Sequence, residues 1–215
     1  VDEGFSQYLR GWWQMQELTT DEAIIAWGES DNPTIKDLNF NTWNADNVFA
    51  EAFFARIFYQ VGLCNEFLRQ TTDEKLASRG VSGTLYNEIQ DYKNEARFMR
   101  ALSYYHGIDL FGKLPFGTED DILGTPPQME SRTEVFNYII EELADLENKL
   151  KAPRSNEYGR ADRAALWMLQ AKLFMNSTVY TGVDKNTDAV TALNKVISSG
   201  YIVAPIPFAN LFKAD

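Results

Sequence analysis

The chain has 215 residues, 45 % of them apolar and 13 % aromatic, which is enough to bury a substantial core and too apolar for a disordered chain. A formal net charge of −11 gives it no electrostatic reason to approach phosphates, so nucleic acid is not an expected partner. One cysteine, Cys64, excludes an internal disulfide and a thiolate zinc cage, and no apolar run of about 18 residues reads as a transmembrane helix.

Val1-Asp2-Glu3 is neither an initiator methionine nor the basic start of a signal peptide, and reads as the start of a processed product or fragment. From Gly4 to about Glu17, Phe5, Tyr8, Leu9 and Trp12 recur at helical spacing. Ala26 to Asn44 is loop chemistry: Gly28, Asp31-Asn32-Pro33 and several Asn and Thr, whose side chains bond their own backbone in turns. From Asp46 the helical spacing returns, with Phe49, Phe53, Ile57, Val61, Cys64 and Leu68 along one face of a long helix. Thr71 to Gly83 reads as a polar hinge.

A second long helix is expected from about Thr84 to Phe111, with Ile89, Tyr92, Ala96, Tyr104 and Ile108 in register. It is stopped by Gly112 and kept from continuing by Pro115. Gly117 to Glu130 is loop-like. Ser131-x-x-Glu134 has the form of a capping box and introduces Val135, Phe136, Ile139, Ile140, Leu143, Leu146 and Leu150, with Pro153 beyond. Two further helices span roughly Ala161 to Tyr180 and Thr187 to Ser199. Their small residues, Ala164, Ala171, Ala189 and Ala192, suit close helix approach. The only strand-like stretch is Tyr201-Ile202-Val203. Two helical pairs, Glu95–Leu150 and Ala161–Gly200, have the form of tetratricopeptide-like units, the first carrying a long insertion. The fold class is therefore all-α: tetratricopeptide-like helical hairpins with long loops. The domain reading is a single region over 1–215, with a loop segment at 18–47 and a helical scaffold at 84–200.

Few residues offer catalytic chemistry. His106 is the only histidine, so neither an HExxH metal site nor a histidine cluster can form, and it reads as a packed helix residue. Asp21/Glu22 and Asp120/Asp121 are adjacent acids of the kind that mark caps and solvated loops. Arg97 and Arg100, one turn apart on an aromatic-rich helix, need acidic partners if buried, and a structural ion pair with a neighbouring helix is expected. No Gly-rich phosphate loop is present. The expected sets of catalytic residues, metals and cofactors are thus empty.

Aromatic faces remain as the means of recognition. Flat rings bind the C–H faces of sugars while Asn, Asp and Arg bond their hydroxyls. Most aromatics here fall at helical spacing and read as core. Trp27, in the turn-rich segment beside Asp31, and Trp43, among Asn41, Thr42, Asn44 and Asn47, are the two that sit in loop context. For each, loop packing and ligand contact both remain open.

Several stretches together resemble the SusD/RagB family. They are Glu95-Ala96-Arg97-Phe98-Met99-Arg100-Ala101 with Tyr104-Tyr105 and Leu110-Phe111-Gly112-Lys113-Leu114-Pro115, and Leu18-Thr19-Thr20-Asp21-Glu22 ahead of a loop. Cys64-Asn65, Gly159-Arg160-Ala161, Val179-Tyr180-Thr181-Gly182 and Ile197-Ser198-Ser199-Gly200-Tyr201 continue the match in family order. The resemblance implies a tetratricopeptide-like scaffold at the outer surface of a Bacteroidetes-type outer membrane. Such a protein is anchored as a lipoprotein, binds glycans without cleaving them, and serves a SusC-type TonB-dependent transporter. It also implies that this chain is the N-terminal part of a longer protein, with its lipid-bearing cysteine outside the sequence. The family's glycan face draws partly on the loop that maps to Ala26–Asn47, which carries Trp27, Asp31, Asn41 and Trp43 as ligand-binding candidates. Two alternatives stand beside this reading: a helical-repeat scaffold that contacts a protein through the Gly112–Glu130 insertion, and an α-helical glycoside hydrolase.

Overall fold

A computed structural model of the protein describes residues 8–26, 34–203 and 205–212. In chain order these form α1 (Tyr8–Glu17), α2 (Thr34–Asn39), α3 (Val48–Gln70), α4 (Asp73–Ser78), α5 (Gly83–Leu110), β1 (Leu114–Phe116) and β2 (Gln128–Glu130). There follow α6 (Arg132–Leu146), α7 (Arg163–Met175), α8 (Ser177–Thr181), α9 (Asn186–Ser198) and a 3₁₀ turn at Phe208–Phe212. The all-α expectation holds, with one short antiparallel hairpin as the only sheet among the described residues.

The helix ends follow the local chemistry. Asn47 caps α3 by accepting from the backbone N–H groups of Phe49 and Ala50, both at 3.1 Å, and Asp162 caps α7 in the same way. Ser131 and Glu134 close the expected capping box on α6. Gly112 stops α5 in the left-handed conformation at φ 76°, where a side chain would be strained.

Four details differ from the sequence expectation. The Ala26–Asn44 loop contains α2, whose Ile35 and Leu38 bury against Leu18 and Phe49 in a small satellite core. The Thr71–Gly83 hinge contains α4, capped by Thr72 and anchored by buried Leu76. The helix expected at Ala161–Tyr180 breaks at Asn176 into α7 and α8. The strand-like Tyr201-Ile202-Val203 lies outside any strand, and the sheet forms instead at the two ends of the Gly117–Glu130 excursion, where Leu114 pairs with Glu130 and Phe116 with Gln128. Apolar β-branched residues gain from strand geometry only when a partner strand is present.

Both expected helical pairs pack together, α5 against α6 and α7 against α9, and α3 packs along α5 as extensively. This makes α5 the centre of the molecule. Its first half is a mixture of exposed and partly buried residues, but from Phe98 to Ile108 it is buried on nearly every side: Ala101, Ser103, Tyr104 and Ile108 have no exposed surface. The main core gathers Val61 of α3, Tyr104 and Ile108 of α5, Phe136, Ile139 and Leu143 of α6, and Leu166, Leu169 and Leu173 of α7. Gly107 lets Leu114 seat against α5, because a Cβ there would fall 2.8 Å from Leu114 Cδ2.

Candidate functional site

Around α5 the buried arginines meet acids, while the Tyr138 hydroxyl that packs beside them is buried without a hydrogen-bond partner among the described residues. Arg97 donates Nε to Glu142 Oε1 at 2.8 Å and an Nη to Oε2 at 2.7 Å, with Asp145 also at 2.8 Å. Arg100, 2 % exposed, pairs with Glu142 at 3.1 Å, with Asn65 Oδ1 at 2.7 Å and with the Glu119 carboxylate. Burial works against the Glu119 charge, but the Arg100 guanidinium outweighs it and holds the carboxyl below its ordinary range. These arginines are the structural ion pairs expected from sequence. They also tether the hairpin loop: Asn65 donates to the Gly117 carbonyl at 3.1 Å, and the Tyr104 hydroxyl donates to that carbonyl and accepts from the Gly117 N–H.

His106 is packed as expected, its ring within 6.3 Å of Tyr8, Trp12, Phe53 and Tyr105, and its Nδ1 2.7 Å from the Tyr8 hydroxyl. Burial, with Lys172 nearby, pushes its pKa down to about 4, so the ring is neutral at pH 7. The adjacent acids Asp21/Glu22 and Asp120/Asp121 are all exposed, with Asp121 capping its own turn through the Thr118 N–H at 2.6 Å. Among the described residues, no group of three or more His, Cys, Asp or Glu is placed to hold a metal ion.

Of the four ligand-binding candidates, Trp27 and Asp31 lie outside the described residues. Asn41 is exposed in the turn that leaves α2, at φ 55°, a left-handed conformation that Asn tolerates. Trp43 is 46 % exposed and stands at a cavity of about 780 Å³ between the end of α1, the start of α3 and the end of α5. Asn41 and Trp43 are therefore close in the chain, but only Trp43 lines the cavity. Inside it, Phe54 and Phe111 meet edge to face, with centroids 5.2 Å apart. Asp109 is held on both oxygens: the Tyr180 hydroxyl donates to Oδ1 at 2.6 Å and Gln16 Nε2 donates to Oδ2 at 2.7 Å. The Tyr180 phenol is raised above its ordinary pKa by burial and then by Asp109, so it remains a donor.

Sequence reasoning missed Gln16, Phe54, Asp109 and Phe111. Phe54 carries the only available signal, as an aromatic just off the apolar stripe of α3. Asp109, on a helix read as scaffold, carried none. The loop itself is held by residues not singled out: Asn39 donates to the Leu18 and Ala23 carbonyls and accepts from the Ile25 N–H, while Asn47 donates to the Thr34 carbonyl at 2.8 Å. A second hollow, of about 580 Å³, lies between α3 and the hairpin loop and is walled by Phe58, Phe116 and Pro127 with Arg69 and Asp121.

The cavity at Trp43 thus combines aromatic faces with a few fixed polar groups, an arrangement suited to small polar rings. No family model matches the chain. It is 36 % identical over 214 residues to the starch-binding protein SusD of Bacteroides thetaiotaomicron, an alignment that covers all of this chain and 36 % of the relative. The chain therefore spans about a third of that relative's length. Among solved structures it is similar to a SusD superfamily protein of B. thetaiotaomicron, with a TM-score of 0.73 at 18 % identity, covering 93 % of this chain and 44 % of that one. It is also similar to surface glycan-binding protein A of Bacteroides uniformis, with a TM-score of 0.69 at 18 % identity, covering 99 % and 50 %. At these identities the two structures speak for the fold alone.

Proposed function

Starting from a chain that belongs to the SusD/RagB family along its whole length, we propose that the protein binds glycans reversibly and does not cleave them. The carrying observation is the 36 % identity, across the entire chain, to a starch-binding protein. Local support comes from the cavity at Trp43, where a half-exposed indole, two edge-on phenylalanines and the fixed Asp109 acceptor stand together. Capture proceeds by stacking sugar C–H faces on the ring and accepting hydroxyl hydrogens at Asp109, with no bond broken. Trp27, Asp31 and Asn41 belong to the same proposal as further contacts along the 26–47 segment.

The protein then works at the cell surface of a Bacteroidetes-type outer membrane as a lipid-anchored partner of a SusC-type TonB-dependent transporter, to which it delivers glycan. In this reading residues 1–215 are one helical region of a longer protein, which fits their spanning 36 % of the relative's length. The exposed Ile122 and Leu123 at the tip of the hairpin loop favour a second reading, a scaffold that contacts a protein through 112–130. Affinity electrophoresis of the full-length protein through gels carrying a panel of polysaccharides tests the first. Retardation by at least one glycan, reduced tenfold or more by Trp27→Ala or Trp43→Ala, is expected. Free migration in every gel would remove the glycan reading and leave the scaffold.

A further inference from the structure

The cavity also carries an electrostatic signature. Its described lining includes two carboxylates, Asp109 and Glu51, and no lysine or arginine. Glu51, in the first turn of α3, is exposed, while Asp109 is half-buried and locked by Tyr180 and Gln16. Each carboxylate oxygen offers about two acceptor directions, and the internal bonds of Asp109 use one on each. That leaves one acceptor direction on each oxygen, the number that two adjacent sugar hydroxyls donating side by side would fill.

Accordingly, and resting on the glycan reading above, we propose that this cavity selects neutral glycans that present a vicinal diol to Asp109, and rejects uronic, sulfated or otherwise anionic ones. An anionic sugar stacked on Trp43 brings its charge beside Glu51 and Asp109 with no cation in the described lining to offset it. Like charges this close repel several-fold more strongly at a protein surface than in bulk water. The −11 net charge of the chain adds a long-range field of the same sign. A neutral hydroxyl meets no such barrier, and the charged acceptor strengthens its hydrogen bond.

The test uses one polysaccharide in two charge states: whichever neutral glycan retards the full-length protein, before and after oxidation of its primary alcohols to carboxylates. Wild type is expected to bind the oxidised form at least tenfold more weakly at low salt, with the gap narrowing in about 0.5 M NaCl as screening shortens the reach of the carboxylates. Glu51→Gln, an exposed change that leaves the internal bonds of Asp109 intact, is expected to recover several-fold of the lost affinity. Asp109→Asn is expected to weaken the neutral glycan too, since it removes the charged acceptor. Equal or tighter binding of the oxidised glycan overturns the proposal. So does neutral binding that neither Trp43→Ala nor Phe111→Ala weakens, in which case glycan capture stands but lies elsewhere. If only anionic glycans bind wild type, capture stands and this inference falls; if no glycan of either kind binds, both fall.

Discussion

Replacing Glu142 tests whether the charge network around α5 holds the fold. The Glu142 side chain is 10 % exposed and accepts two bonds from Arg97 and one from Arg100, which is itself 3 % exposed. Breaking a buried ion pair by deleting one partner costs about 3–5 kcal/mol, because a desolvated charge is left behind. Here each arginine keeps a second acid, Asp145 for Arg97 and Glu119 for Arg100. Glu142→Gln, which also retains an acceptor oxygen, should therefore cost about 2 kcal/mol, below the usual range for a broken pair. Glu142→Ala removes the acceptor as well and should cost about 4 kcal/mol. For a domain of this size about 2 kcal/mol corresponds to roughly 4–8 °C in Tm. Thermal unfolding followed by far-ultraviolet circular dichroism reads the difference directly. The Arg100→Met/Glu142→Leu double variant should cost less than the sum of its single changes, since the Arg100–Glu142 contact is then lost once rather than twice, while Arg97 keeps Asp145. A Glu142→Gln shift below about 1 °C, or strict additivity in the double variant, would refute the claim that these charges act as one unit.

Two further outcomes concern stability. His106 is held down to about 4 in the fold, against an ordinary value near 6.5. The unfolded chain therefore binds the extra proton first, and stability should fall as pH drops from about 6.5 through 4, by on the order of 3 kcal/mol at the limit. His106→Gln should flatten that part of a urea-midpoint profile, while leaving the steeper loss at lower pH, where Glu119, Glu147 and Asp162, all held below their ordinary values, take up protons. An unchanged slope would remove His106 as its origin. Asn47→Ala deletes the cap of α3 and the bond that ties α3 to the Thr34 carbonyl. It should cost about 1–2 kcal/mol and loosen α2, seen as faster amide hydrogen exchange at Ile35 and Leu38. Uniform exchange across the protein would argue against that local role.

The helices were legible because their signals are local. The spacing of Phe49, Phe53, Ile57 and Val61, the Ser131–Glu134 box and the stop at Gly112 all act within a few residues and needed no knowledge of the rest of the chain. The pairing of Arg97 and Arg100 was also readable, since a guanidinium on an apolar face must meet an acid. Which acids it meets was not: Glu119 and Glu142 lie 19 and 42 residues from Arg100 in sequence. α2 escaped notice because six residues rich in turn formers carry too little periodicity to outweigh their composition, and its burial comes from Leu18 and Phe49 on other elements.

The candidate site divides along the same line. Composition singled out Trp43 as a tryptophan in loop context, and the fold sets it beside a cavity. Asp109, Gln16, Phe54 and Phe111 were invisible as a group, because three helices must converge before they share one space, and Gln16 and Asp109 alone are 93 residues apart. By itself, then, the sequence determined the long helices, the Ser131–Glu134 box and the Gly112 stop, the need to pair the arginines and the resemblance to a family. The tertiary structure decided that α5 is central, that the hairpin loop is tethered to it, and that two carboxylates and three aromatic rings face one cavity. Periodicity reports what one element needs on its own surface, whereas a site is made by distant elements meeting, and only packing brings those together.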